Sequence, residues 1–160
     1  MHAAKRRMRF ASLLAVLLAG CANTPGGPAH PPEPDRAFFD EQIYPLLLRD
    51  CAFPECHASR DRFFRVFGPG RARLSPDTSI TAPPTEEEIE EAYQRARSML
   101  AGAATADRTL LVRKPLEVDR GGAPHMGIDH LGRDIYSSTD DAGYRLLLEW
   151  AATALPRGGS

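Results

Sequence analysis

The chain has 160 residues and a formal net charge of −1. Its first 20 residues hold four basic side chains and no acidic one, so the other 140 carry 16 basic against 21 acidic side chains, or −5. This acidity argues against nucleic-acid binding, whose affinity comes mostly from neutralised phosphates. The length fits one folded domain, and no apolar run approaches the about 20 residues of a membrane-spanning helix.

The N-terminal segment is predicted to be an export signal. A basic cluster at residues 5–9 precedes an apolar run of 11 residues at 10–20, which is too short to span a bilayer. The run ends in LAGC at Cys21, which resembles the lipobox of bacterial lipoproteins. The resemblance implies that residues 1–20 are a signal peptide and that acylated Cys21 anchors the exported chain to a membrane. Ala22, rather than Asp, favours the outer membrane; the alternative is an ordinary secretory signal with an incidental cysteine.

Residues 21–35 are predicted to form the lipidated cysteine and a disordered tether. Five prolines and two glycines occur in residues 22–35, and this composition leaves no apolar period to pack. His30 is expected to be solvated. The folded domain is predicted to cover residues 36–157.

The domain is predicted to be mostly α-helical with long loops. Residues 36–50 have helical apolar spacing, with Asp35 as the cap and a kink at Pro45. Residues 85–101 are the clearest helix, because Thr85 and Glu88 have the spacing of a capping box. The other expected elements are a turn or strand at 109–112, a helix at 139–154 capped by Ser138 or Thr139, and a short strand at 63–67. The acidic run 86–91 is interpreted as a solvent-facing helix start, or else as a docking surface for a basic partner.

The segment CAFPECH, which contains Cys51, Cys56 and His57, carries the predicted chemistry. Two cysteines followed directly by a histidine are typical of covalent haem attachment, in which the thiols bond the haem vinyl groups and the histidine binds the iron. The usual spacer between the cysteines has two residues, whereas this one has four. In an exported, oxidising compartment the two cysteines can instead close a disulfide.

Four further blocks lie along residues 36–155. They are FFDEQIYPLL leading to Cys51, TLLVRKP followed by GGAPHMG, and YRLLLEW near the C-terminus. In these blocks the chain resembles the c-type cytochrome domain of exported bacterial proteins. The resemblance implies a small cytochrome c-like helical fold, one covalent haem c, His57 as the proximal iron ligand, and one-electron transfer with an unknown redox partner protein. An electron carrier is thus expected rather than an enzyme.

The sixth iron ligand is expected in the Gly-rich loop. The cytochrome domain often has His-Gly-Gly there, and this chain has His125-Met126-Gly127. His125 is the preferred ligand, with Met126 and His130 as alternatives, and an open position would bind a small diatomic molecule. Met99 is expected in the core.

Two other groups of side chains are interpreted in relation to the haem. The aromatic residues are expected to pack around it or, alternatively, on one another: Phe38, Phe39, Phe53, Phe63, Phe64, Phe67 and Trp150. Five arginines at positions 60, 62, 65, 71 and 73 either pair with haem propionates or form a solvated cationic face. The alternative function is a haem-free, disulfide-stabilised lipoprotein that acts as a binding or structural module.

Overall fold

The computed structural model describes residues 31–59, 61–126 and 134–158. The predicted signal peptide, Cys21 and the first part of the tether lie outside the described residues. Within them the fold is mostly helical and has no β-strand, as the fold-class prediction required. None of the described helices is long and apolar enough to cross a membrane.

The first helix, α1, has three consecutive parts. They are α-helical Arg36–Phe38, π-helical Phe39–Ile43 and α-helical Tyr44–Asp50. The Asp35 side chain caps it by accepting from Phe38 N at 2.7 Å, as predicted. Pro45 has no N–H to donate, and the π-helical part lies directly before it, with Tyr44 N donating to Phe39 O. A π-helical segment therefore accommodates the proline.

The second helix, α2, spans Glu86–Ser98 and has the predicted capping box. Thr85 Oγ1 accepts from Glu88 N at 3.2 Å, and Glu88 Oε2 accepts from Thr85 N at 3.1 Å. The interpretation of the acidic run as solvent-facing is wrong for Glu88, which has no exposed surface. Its carboxylate pairs with Arg73 across the interior.

Two short elements complete the helical layer. Helix α3 spans Leu110–Arg113, so the 109–112 segment is helical rather than a strand. Helix α4 spans Ala142–Ala151, shorter than the predicted 139–154. Asp141, not Ser138 or Thr139, is its N-cap residue. The Asp141 side chain accepts from Ser138 N at 3.0 Å, which holds the preceding residues in a turn instead of a helix.

The predicted strand at 63–67 does not form. Phe63 is 76% exposed, whereas Phe64, Val66 and Phe67 are buried. Val66 N donates to His57 O at 2.9 Å, but among the described residues this segment forms no β-bridge. The one β-bridge in the described parts of the chain joins Leu116 and Tyr136 in parallel.

The core forms where α4 packs against α3 and the π-helical part of α1. Phe39 lies 5.3 Å from both Tyr93 and Trp150, measured between ring centroids. The Trp150 indole donates to Asp35 O at 2.8 Å, which joins the two ends of the domain. For Phe39 and Trp150 the alternative expectation therefore holds: they pack with other aromatic rings.

The end of the predicted tether lies against α2. Pro34 is buried, and its carbonyl accepts from Tyr93 Oη at 3.0 Å. Arg97 donates from Nε to Pro32 O at 2.8 Å and pairs with Glu33. Among the described residues, contacts with the helical domain thus extend back to residue 31, five residues before the predicted boundary.

Candidate haem-binding site

The CAFPECH segment forms a closed loop at the end of α1. Cys51 N and Ala52 N both donate to Leu47 O, at 2.9 and 3.0 Å, so the loop continues directly from the helix. His57 N donates to Cys51 O at 3.0 Å, which brings the two ends of the motif together. Between them, Phe53 is 40% exposed. Residues 53–55 of the spacer are therefore exposed, Ala52 is buried, and the two ends of the motif meet.

Both cysteines and His57 line one cavity of about 150 Å³. Its walls are almost entirely apolar side chains from distant parts of the chain. The lining residues outside the motif are Leu47, Asp50, Phe64, Met99, Leu110, Leu111, Lys114, Pro115, His125, Ile135 and Leu147. Every described residue that the sequence assigned to haem attachment is thus in the same place.

Cys51 and Cys56 are free thiols in this structure. Burial, together with the neighbouring Asp50 and Cys56, raises the pKa of Cys51 to about 12. Cys51 is therefore a neutral thiol at neutral pH. Because thiolates are the species that attack disulfides, this environment slows disulfide exchange at Cys51.

A backbone carbonyl orients the His57 ring. His57 Nδ1 lies 2.7 Å from Phe64 O, and a carbonyl only accepts, so Nδ1 carries the proton and donates. In the neutral ring, Nε2 then holds the lone pair. Burial lowers the pKa of His57, His125 lowers it further, and the bond to Phe64 acts in the opposite direction. Histidines that bind a metal through one ring nitrogen commonly donate the N–H of the other ring nitrogen to a carbonyl or carboxylate.

His125 lies opposite His57. The two ring centroids are 5.9 Å apart and the ring planes differ by 14°. The rings are stacked, so the contact shows that the two side chains are neighbours; to share one iron, each ring would turn a nitrogen atom toward it. The structure therefore brings together the predicted proximal ligand and the preferred sixth ligand.

The other ligand candidates have different positions. Met126 is 82% exposed and lines an outer cleft of about 380 Å³, which also touches His57 and His125. Met99 packs against the core, as predicted, and its side chain also forms part of the wall of the inner cavity. His130 lies outside the described residues.

Among the described aromatic and basic side chains assigned to the haem, few reach the cavity; Arg60 lies outside the described residues. Phe64 lines it, and Arg62 lines the outer cleft. Arg71 donates to Leu48 O and lies 4.6 Å over the Phe53 ring. Arg73 is fully engaged with Glu88 and nearby carbonyls, so it is not a propionate partner.

Two charged residues of the wall, Asp50 and Lys114, were not assigned a role from the sequence. Asp50 lines the cavity and accepts from Tyr136 Oη at 2.9 Å. Arg49 donates to the same carboxylate at 2.6 and 2.8 Å. The position of Asp50 directly before Cys51 could have indicated that it lies at the site. Its hydrogen bond with Tyr136 could not be predicted, because the two residues are 86 positions apart. Lys114 lines both the cavity and the cleft.

No group of three or more His, Cys, Asp or Glu side chains among the described residues is arranged to hold a metal ion by itself. Comparisons with protein-family models, curated proteins and solved structures found no match for this chain.

Proposed function

We propose that this chain is a mono-haem c-type cytochrome that transfers single electrons. The observation that carries the proposal is the His57 ring, whose Nδ1 donates to Phe64 O while Nε2 keeps its lone pair beside two free thiols. A porphyrin supplies four of the iron ligands, so one or two protein side chains are enough to complete the site.

The donor set suits a covalently bound haem, but a cavity of about 150 Å³ has the size of a benzene site, so the group would also have to fill the adjoining outer cleft of about 380 Å³. Cys51 and Cys56 would form the two thioether bonds, and His57 would be the proximal ligand. His125 would be the sixth ligand, because its ring centroid lies 5.9 Å from that of His57 and both side chains line the same cavity. The group, when bound, supplies an iron that accepts and releases one electron.

The protein side chains have three tasks in this proposal. Phe64 O holds the His57 ring in one orientation and raises the basicity of its other nitrogen. Apolar walls such as Leu111 and Leu147 exclude water from the cavity. The outer cleft leaves the His57–His125 edge of the site close to solvent, where a redox partner can approach.

The proposed location is the periplasmic face of a membrane, through acylation of Cys21. The lipobox-like LAGC and the preceding apolar run support it. The outer membrane is favoured because residue 22 is Ala.

The test is the intact mass and the visible spectrum of the chain matured in a host that has haem-ligation machinery. We expect a mature chain heavier by one haem, in addition to its acyl groups, with sharp reduced bands that survive acid–acetone extraction. A colourless chain two hydrogens lighter than its reduced form would contradict the proposal. That result would identify the disulfide-stabilised lipoprotein instead.

A further inference from the structure

Arg113 binds the backbone of the glycines that precede His125. Its Nε donates to Gly121 O at 3.2 Å, and its Nη2 donates to Gly122 O at 3.1 Å. In return, Ala123 N donates to Arg113 O at 3.0 Å. This residue at the end of α3 therefore makes three hydrogen bonds to three consecutive residues of the loop.

Lys114 holds the residue directly before His125. Its ammonium group donates to Pro124 O at 2.7 Å, a short charge-assisted hydrogen bond. The Lys114 side chain also lines the cavity and the cleft that meet at His57 and His125. Lys114 thus contacts the loop at Pro124, directly before the residue whose side chain lines the site.

The loop backbone at Gly122 is tightly packed against the residues that follow α3. A Cβ atom on Gly122 would lie 1.8 Å from Leu116 O, so the backbone runs directly against that residue. A glycine-rich segment has many accessible conformations in isolation. The side-chain hydrogen bonds from Arg113 and Lys114 select one of them.

The two imidazoles are therefore held by separate parts of the fold. Phe64 O orients His57 at the end of α1, while the α3 side chains support the segment that carries His125. The 5.9 Å between the rings depends on both supports.

We propose that Lys114, assisted by Arg113, is a positioning residue that sets His125 opposite His57 as the sixth ligand. The inference rests on the proposed function, and it adds residues to which neither the sequence nor the haem motif assigned this role.

The experiment compares ferric absorption and electron paramagnetic resonance spectra of the full, haem-loaded chain, normalised per haem. The variants are Lys114→Leu, which removes the donor without adding an iron ligand, Lys114→Arg, which keeps a donor, and Arg113→Leu. Arg145→Leu is the control, because Arg145 is exposed on α4. We expect Lys114→Leu to lose at least half of the low-spin signal. Lys114→Arg retains that signal, and added imidazole restores it in Lys114→Leu.

Three outcomes would overturn the inference. An unchanged low-spin fraction in both Lys114→Leu and Arg113→Leu would show that the loop does not need these donors. An equal loss in the Arg145→Leu control would show a general effect of removing a charge. If the wild-type chain carries no covalent haem, every variant is colourless and the proposed function fails as well; coloured variants with unchanged spectra contradict the positioning role alone.

Discussion

Arg73 and Glu88 form a two-pronged ion pair in the interior of the domain. Arg73 Nε donates to Glu88 Oε1 at 2.9 Å, and Nη2 donates to Oε2 at 2.8 Å. The side chains are 5% and 0% exposed. The same carboxylate accepts from Leu74 N and Thr85 N, so this pair ties the 68–85 loop to the start of α2.

Replacement of Glu88 by glutamine is expected to destabilise the fold by about 3 kcal/mol, because it leaves a buried guanidinium without its counter-charge. The measurement is urea unfolding at neutral pH, followed by circular dichroism. Glu87→Gln is the matched control, since Glu87 is exposed in the same helical turn. Equal midpoints for the two variants would contradict the structural role of the pair.

The same pair is expected to make stability depend on pH in the acidic range. Burial by itself raises the pKa of Glu88, but hydrogen bonds from Arg73, Leu74 and Thr85 outweigh burial and lower it below the ordinary 4.5. The unfolded chain therefore takes up a proton at a higher pH than the folded chain. The contribution to stability is complete above about pH 4.5 and declines as the pH falls below that value. The gap between wild type and Glu88→Gln should narrow over this window, and a constant gap would contradict the assignment.

The two cysteines are expected to act as separate attachment points. Cys51→Ala and Cys56→Ala should each leave one thioether bond and weaken haem retention, whereas the double variant should lose covalent haem. His57→Ala should lose the proximal bond. Haem stain on a denaturing gel measures attachment, and a double variant that still stains would place the attachment elsewhere.

The next prediction distinguishes His125 from its neighbour Met126 in the Gly-rich loop as the sixth iron ligand. His125→Ala is expected to change the axial ligation, since the His125 ring faces His57, whereas Met126→Leu should leave it nearly intact because Met126 is 82% exposed. The near-infrared absorption of the ferric protein distinguishes sulfur from nitrogen ligation. A sulfur-type band lost in Met126→Leu and kept in His125→Ala would reverse the assignment. If neither variant changes the spectrum, His130 and an open position become the alternatives to test.

Gly143 is expected to tolerate no side chain while Tyr136 is present. A Cβ atom there would lie 2.5 Å from both the Cε1 atom and the hydroxyl oxygen of Tyr136. Gly143→Ala should cost about 2 kcal/mol through overpacking and disturb the hydrogen bond from Tyr136 to Asp50. In a double-mutant cycle, Tyr136→Leu should relieve most of that cost. Additive effects would show that the ring moves aside freely.

The anchor prediction concerns Cys21. Cys21→Ser is expected to abolish fatty-acid labelling and release the domain into the soluble periplasmic fraction, because residues 22–35 offer no apolar face to hold it on a membrane. Fractionation with the wild-type chain as reference measures this. A variant that stays membrane-bound at high salt would require another anchor.

Local signals predicted those parts of the fold that depend on neighbouring residues. The capping box of Thr85 and Glu88 lies within one turn, and the Asp35 cap is equally local, so both could be identified from sequence. The burial of Glu88 could not, because its partner Arg73 is 15 residues away in a loop without regular structure. A run of acidic residues is usually solvated, and only the tertiary fold shows which member turns inward.

The site divides in the same way. Cys51, Cys56 and His57 are close in sequence, so their shared cavity could be anticipated. The exposure of Met126 could not be, because an adjacent pair in a Gly-rich loop has no periodicity that shows which side chain faces inward. The hydrogen bonds from Arg113 and Lys114 to the loop could not be predicted either, because they depend on how the loop packs against the end of α3.

The large sequence separation of Trp150 and Asp35, which share a hydrogen bond, has a consequence for the order of folding. The hydrogen bond joins residues 115 positions apart, and the cavity walls likewise come from positions 47 to 147. Contacts of such high sequence separation form slowly, because a large loop must close before they contribute. The Cys51–His57 segment, by contrast, needs only seven consecutive residues. We therefore expect a covalent group to be attached to the flexible chain first, with the walls closing around it afterwards.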